Sequence, residues 1–347
     1  MGQMGFFDLS SRYAGLDKSG DPLVLLNDMV PFEDYRDELK AIWRTPPEQR
    51  KSNAGRPPWD EVLIFKTMVL QQLYNLSDDQ IEYQIRDRLS FMRFLGLGIE
   101  DSVPDAKTIW AYRERLAGAG KMKELFDKFD AFLREKGYLA MGGQIVDASI
   151  VPAPRQHNKR DENEKIKAGE TPEEWEEKPH KKRQKDVDAR WTKKHGKSYY
   201  GYKNHINVDR RHKFIRAYDV TDAAVHDSQA LAGLIDASNT SSDLWADSAY
   251  RSQKIESELE ERGLHSHIHH KGRRGKPLGE RQQKANRRCS KVRVRVEHVF
   301  AFQERSMGGK LIRSIGLKRA RFRIGMMNLV YNMKRFVQFE CGLAAPG

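Results

Sequence analysis

Three acidic residues stand where oxygen ligands for a metal ion would be wanted. Asp147 follows the apolar run Gly142-Gly-Gln-Ile-Val, and Asp247 follows Leu244-Trp-Ala. Glu297 lies within Lys291-Val-Arg-Val-Arg-Val-Glu-His-Val-Phe. An acid that ends an apolar strand has to leave the apolar face of its sheet. Two such acids and a third on a helix can converge on divalent metals. Carboxylates suit the hard Mg2+ ion, with Mn2+ as a possible substitute. Two ions about 3.5–4 Å apart activate an attacking oxygen and stabilise a leaving one in phosphodiester chemistry. In a chain of net charge +13, these acids read as a metal site that cuts nucleic acid.

Each acid also has a plainer reading. Asp147 could cap a turn after a strand, Asp247 a helix opening at Ser252-Gln-Lys-Ile, and Glu297 could be a surface ion pair. Arg293 precedes Glu297 by four residues, so the two share a helix face. Such a cation either holds the acid or meets a phosphate. In Thr221-Asp-Ala-Ala-Val-His-Asp-Ser, a strand gives way to a helix; Asp227 reads as a cap, and His226 either approaches the site or does not. His265, His267 and His269 alternate along one strand face. A half-exposed strand explains them more simply than zinc, which lacks its usual cysteine partners here.

The positive charge is local. Residues 271–323 hold 18 Lys or Arg and 3 acids, so the rest of the chain is near neutral. A DNA track beside Glu297 would use this charge, and binding would weaken steeply with salt. Arg293, Arg295 and Arg305 belong to this stretch, and together with Lys203 and His226 they are the expected DNA-positioning residues.

The elements that must carry these residues differ along the chain. Residues 1–50 read as a loose leader with one helical stretch near Pro31–Trp43. From Arg56-Pro-Pro-Trp-Asp60, apolar residues recur at helical spacing, and Ser77-Asp-Asp-Gln80 is a capping-box pattern. Further helices follow Pro104-Asp105 and run through Leu125, Phe126, Phe129 and Leu133, with Gly137 as the stop. Residues 51–138 are thus expected to form an all-helical DNA-binding or dimerisation domain. Its helix with Lys107, Arg113 and Arg115 either enters a DNA groove or serves a plain bundle. From Gly142 the pattern turns to strands: Gln144–Ala148, Tyr199–Asp209, Phe214–Val220, Asp243–Asp247 and His265–His270, with a long helix over Ser290–Gln303. Residues 139–338 therefore read as a catalytic domain and 339–347 as a tail, an α+β or α/β architecture overall. Within it, 24 of the 43 residues in 155–197 are charged, which predicts a mobile insertion with short helical pieces.

Composition excludes other classes. No apolar run reaches the ~20 residues that span a bilayer, and the N-terminus does not read as a signal peptide. Two cysteines make no disulfide framework, so a reducing cytoplasm is expected.

Taken together, three blocks resemble the bacterial DDE-class insertion-sequence transposases, in particular the group typified by insertion sequence five. The first is Arg56-Pro-Pro, Leu89-Ser-Phe-Met-Arg-Phe-Leu-Gly-Leu and Val103-Pro-Asp-Ala-Lys-Thr-Ile. The second is Ile145-Val-Asp-Ala-Ser, Tyr200-Gly-Tyr-Lys-Asn-His and Val225-His-Asp-Ser. The third is Ala246-Asp-Ser-Ala-Tyr with Arg293-Val-Arg-Val-Glu-His-Val-Phe. The resemblance implies an RNase H-like catalytic fold. It also implies a catalytic triad of Asp147, Asp247 and Glu297, and Arg293 as the family's arginine. The signature often carries Tyr three before that Arg and Lys seven after the Glu; Ser290 and Glu304 stand there instead, with Arg305 next to the expected Lys. The expected activity is cleavage at element ends and joining of the 3′-OH to target DNA. The expected partners are terminal inverted repeats, target DNA and a second copy of the chain, near the bacterial nucleoid. An RNase H-like nuclease without strand transfer and a domesticated DNA-binding protein are the alternatives.

Overall fold

Aspartate and serine side chains accept from backbone amides where several of this chain's helices begin. In the computed structural model, residues 8–46, 48, 57–194, 196–272, 275 and 277–342 are described. The expected roles of Arg56, of Arg273, Arg274 and Lys276, and of the first seven and last five residues lie outside the described residues. The chain divides into two units between Lys121 and Met122, and the end of the last helix, from Met333, belongs to the first unit.

The first unit is helical: α1 (Asp8–Lys18), α2 (Pro22–Met29), α3 (Arg36–Trp43), α4 (Glu61–Leu73), α5 (Asp78–Asp87), α6 (Leu89–Leu95) and α7 (Ala106–Ala119). The leader reading fails here. Leu23, Leu26, Phe32, Tyr35, Leu39 and Trp43 are all buried in the unit's core, because Leu23 and Leu26, and then Phe32 through Trp43, recur at three- or four-residue spacing on helices too short to stand alone. Asp60 is the N-cap of α4, accepting from Leu63 N at 2.9 Å; α4 then buries Val62, Ile64, Phe65, Met68, Val69 and Leu70. The capping box of Ser77 and Gln80 forms at α5. Two of the three cations on α7 are held inside the unit: Arg113 pairs with Asp78, and Arg115 donates to the Trp43 carbonyl at 3.2 Å. Lys107 remains exposed.

The second unit begins with α8 (Met122–Glu135). The helical pattern of α8 reads as a continuation of the first unit, but its apolar side faces the sheet. Phe126 meets Tyr218 edge-on with ring centroids 4.8 Å apart, and Asp130 pairs with Arg216 at 2.8 Å. The sheet, among the described residues, has six strands: β1 (Gln144–Pro152), β2 (Arg190–Lys194), β3 (Lys197–Asp209), β4 (Ile215–Asp222), β5 (Asp243–Ala246) and β6 (His265–Ile268). Strand β3 is antiparallel to β1 along one edge; β2 and then β4 take up its other edge in succession. Strands β5 and β6 add parallel on the far side of β1. Strands β1, β3 and β4, antiparallel in turn, followed by β5 and β6 parallel to β1, give the RNase H-like arrangement that the resemblance implies, with β2 as a further antiparallel strand. Helices α12 (Asp227–Leu234) and α13 (Gln253–Glu261) connect the later strands, and Ala230, Leu231, Leu234, Ile255 and Leu259 pack with Val146, Leu244, Ala246 and Ile268 in one core cluster.

The charged insertion is folded. It carries α9 (Arg160–Lys167), α10 (Glu173–Glu176), α11 (Pro179–Arg183) and strand β2. Trp175 is fully buried and donates to Glu162 at 2.7 Å, while Lys181 reaches the same carboxylate at 2.9 Å. Asp186 ties the insertion to the sheet by accepting from the Tyr202 hydroxyl at 2.7 Å. Composition predicts mobility because it counts charges; here many charges are paired around one tryptophan. The chain ends in α14 (Glu280–Ser306), which starts ten residues before the expected Ser290, and α15 (Leu317–Glu340).

Candidate active site

Strand β1 pairs with β5 through Gln144↔Leu244 and Ile145↔Trp245. Carrying that parallel register forward places Asp147 and Asp247 at matching positions, each three residues past the first pair. Neighbouring strands lie about 4.8 Å apart, so the two acids meet where β5 stops at Ala246. Asp147 is not at a strand end as expected. β1 runs on to Pro152, because β3 pairs with it along its whole length; what ends is its parallel neighbour, and this opens one edge of β1 at Asp147.

Arg293, on α14, closes this edge. Its Nη2 lies 2.7 Å from Asp147 Oδ2, and the two side chains are only 13% and 14% exposed. The other oxygen, Asp147 Oδ1, accepts from Ala148 N at 2.8 Å. Burial pushes the Asp147 carboxyl above its ordinary range; Arg293 and the Ala148 amide oppose this, and the charge of Asp247 adds to it. Asp247 caps the short 3-10 turn Ser248–Tyr250 by accepting from Ala249 N at 2.7 Å.

Glu297 is one turn beyond Arg293 on the same helix, about 6 Å along its axis, and it is exposed. Among the described residues no three His, Cys, Asp or Glu side chains gather as a metal cluster. The structure thus brings two of the three expected acids together and leaves Glu297 at the surface. The donor set fits a hard divalent cation at the aspartate pair: two carboxylates side by side, one already drawing a cation, Arg293, to its Oδ2.

Residues 139–333 match the family model described as Transposase DDE domain, and residues 11–115 match Transposase domain (DUF772). The chain belongs to the DDE transposase family. No solved structure matches it. As a DDE transposase of insertion-sequence type, it is a metal-dependent enzyme that cuts DNA and joins DNA strands by the two-metal phosphodiester chemistry general to this fold. No helix among the described residues is long and apolar enough to cross a membrane.

The remaining expected residues of the transposase fall in different places. Lys203 is buried, and its ammonium donates to the Val225 carbonyl at 2.6 Å and pairs with Asp227 at 2.8 Å; it is a cation of the core, not one that faces DNA. His226 is exposed and is itself the N-cap of α12, with its Nδ1 2.7 Å from Ser228 Oγ, so capping falls one residue before Asp227. It lines a groove of about 700 Å³ with Trp191, Arg190 and Tyr200 of the insertion and its neighbouring strand. Arg295 is half-buried, and burial and then Arg210 lower its affinity for a proton. Arg305 is exposed in the last turn of α14, about 12 Å along the helix from Glu297. His265 and His267 both approach Asp243, His267 at 2.8 Å, and His267 stacks on Trp245.

Two residues beside the aspartates appeared in sequence patterns that did not assign them to the site. His269 lies past the end of β6, 3.4 Å from Ser290 Oγ, and burial followed by Arg293 keeps its imidazole below the ordinary range. Tyr250 is fully buried at the end of the turn that Asp247 caps. A period-two histidine pattern and a short Asp-Ser-Ala-Tyr run gave position but not direction.

Proposed function

We propose that Asp147 and Asp247 hold the divalent metals of this transposase, Mg2+ with Mn2+ as a substitute, and that Glu297 completes the ligand set once DNA is bound. The parallel register of β1 against β5, carried on to Asp147 and to Asp247 just past the end of β5, with Arg293 at the open edge, carries this reading. A metal pair, when bound, supplies activation of the attacking oxygen and neutralisation of the leaving one. Arg293 opposes the effect of burial on the Asp147 carboxyl. With a metal held at Asp147, the Arg293 guanidinium would be free to meet a backbone phosphate in bidentate fashion. The exposed cations of α14, among them Lys284, Arg287, Arg288 and Lys291, form the track that guides DNA toward the pair. Arg295 and Arg305 extend it. Polyanionic DNA beside α14 also offsets the positive charge that this helix would otherwise concentrate.

The helical unit recognises the terminal inverted repeats of an element related to insertion sequence five. Joining two ends requires two copies of the chain, so the working form is a homodimer or larger assembly on DNA in the bacterial cytoplasm. The test is cleavage and joining of labelled DNA carrying the flanking ends, with Mg2+, by wild type and by Asp147→Ala, Asp247→Ala and Glu297→Ala. Loss of nicking in all three supports the triad. Nicking retained by Asp147→Ala or Asp247→Ala overturns the assignment, and cleavage without joined product points to a nuclease that lacks strand transfer.

A further inference from the structure

Tyr250 presents a polar atom where nothing pairs with it. Its ring lies in the core cluster with Val146, Leu244, Ala246 and Leu231. The residue is fully buried, and its hydroxyl finds no hydrogen-bond partner among the described residues. Burying a hydroxyl without a partner is unfavourable, and native cores contain few such groups without a reason. The surroundings supply the reason. The ring packs in one cluster with Val146, the residue before Asp147, and the residue ends the turn that Asp247 caps; burial acts most on the hydroxyl, and the carboxylates whose charge also reaches it are Asp147, Asp227 and Asp247, opposed by Arg293. Asp227 is already engaged by Lys203. Asp247 Oδ1 accepts from the Ala249 amide. Asp147 has Oδ1 on Ala148 N and Oδ2 on Arg293, the one partner of the three that a metal would displace.

We infer that Tyr250 is a positioning residue for the metal site: its hydroxyl donates to the Asp147 carboxylate when that group turns from Arg293 to metal. This rests on the reading of Asp147 and Asp247 as metal ligands. A phenol O–H donates one hydrogen bond and a carboxylate accepts several, so one oxygen can serve the metal while another accepts from Tyr250. Groups that orient metal-ligating carboxylates commonly govern affinity by about 10–100-fold. The turn geometry makes the link direct, because Asp247 caps the same three residues that end in Tyr250.

The test is Mn2+ binding to the full-length protein, measured by calorimetry on wild type and Tyr250→Phe. The variant keeps the ring and removes only the oxygen. We expect Mn2+ to bind about tenfold more weakly, and half-maximal DNA cleavage to need correspondingly more Mg2+. The melting temperature without metal should stay level or rise, since an unpaired buried hydroxyl is gone. Tyr35→Phe is the control: its hydroxyl is also buried with no partner among the described residues, in the helical unit, and its removal should leave Mn2+ affinity unchanged. Equal Mn2+ affinity in wild type and Tyr250→Phe overturns the inference alone. Wild-type protein that takes up no Mn2+ overturns the metal reading, and the inference with it.

Discussion

Arg293 Nη2 stands 2.7 Å from Asp147 Oδ2, joining residues 146 positions apart in the chain. The pair is mostly withdrawn from water, so it differs from the surface ion pairs whose worth is near zero. Removing one partner leaves an uncompensated buried charge. Arg293→Ala should therefore destabilise the metal-free protein by about 2–4 kcal/mol, and Asp147→Asn added to it should recover much of that loss. Urea denaturation of the two single variants and the double gives the coupling directly. A loss below about 0.5 kcal/mol would mean that the pair behaves as an exposed one. Asp147→Asn alone should abolish DNA cleavage and leave DNA binding intact, read by nicking and by band shift on the same labelled ends.

How much of this was legible in the sequence depends on how local each signal is. The cap at Asp105, the capping box at Ser77 and the strand around Ile145 and Val146 are set by neighbours a few residues away, and they appear where expected. The strand-end acids were legible as types. Their shared register was not, because it depends on Gln144 finding Leu244 a hundred residues on. The same limit misplaced Lys203 and α8. Lys203 looks like any basic residue on a strand until Asp227 and the Val225 carbonyl close on it. Helix α8 has a helical period that says nothing of whether Phe126 will face helices or Tyr218. Glu297 sits in a helix as expected, yet no local pattern says how far its carboxylate stands from the aspartates.

Gly143 should be intolerant of any side chain, and this links the backbone before β1 to the site. Its φ is +96°, a region that favours glycine, and an added Cβ would lie 2.5 Å from a ring carbon of Trp245 and 2.7 Å from the Asp243 carbonyl oxygen. Both belong to β5, the strand that sets Asp247 against Asp147. Gly143→Ala should cost about 2–4 kcal/mol in denaturant unfolding and weaken Mn2+ binding by displacing β5. Gly263→Ala separates the two causes. That glycine also has positive φ, +69°, but open space around it, so it should cost about 1 kcal/mol and leave metal binding unchanged. Equal effects of the two substitutions would remove the claim that the β1–β5 register depends on this close approach.

DNA affinity should be carried by the exposed cations of α14 and not by Lys203. A phosphate deprived of its protein cation keeps its counterion, so the slope of log affinity against log salt becomes shallower by about one. Arg288→Ala and Lys291→Ala should each weaken binding to all sequences alike and reduce that slope by about one. Lys203→Met should leave the slope unchanged while lowering the melting temperature, since it strips Asp227 of its buried partner. A slope that drops in the Lys203 variant and holds in the α14 variants would reverse the assignment of the DNA track.

Acid should loosen the insertion before it unfolds the sheet. Burial works against the charge of Glu162, but Lys181, the Lys159 amide and the Trp175 indole outweigh it and hold the carboxyl down at about 2, against 4.5 for the ordinary group. A folded value below the unfolded one means that the ionised form favours the fold. That stability is fully present above pH 4.5 and is lost as pH falls through about 2. Trp175 donates to this carboxylate, so its emission reports the change; subtracting a Trp175→Phe variant removes the other tryptophans. The expected result is a Trp175 transition inside that pH window with the sheet's far-ultraviolet signal unaltered. Glu162→Gln should erase the window, leaving an insertion equally loose at about pH 7 and about pH 3, on either side of the ordinary carboxyl value. A Trp175 signal flat from neutral pH to the global acid transition would show that Glu162 does not hold the insertion together.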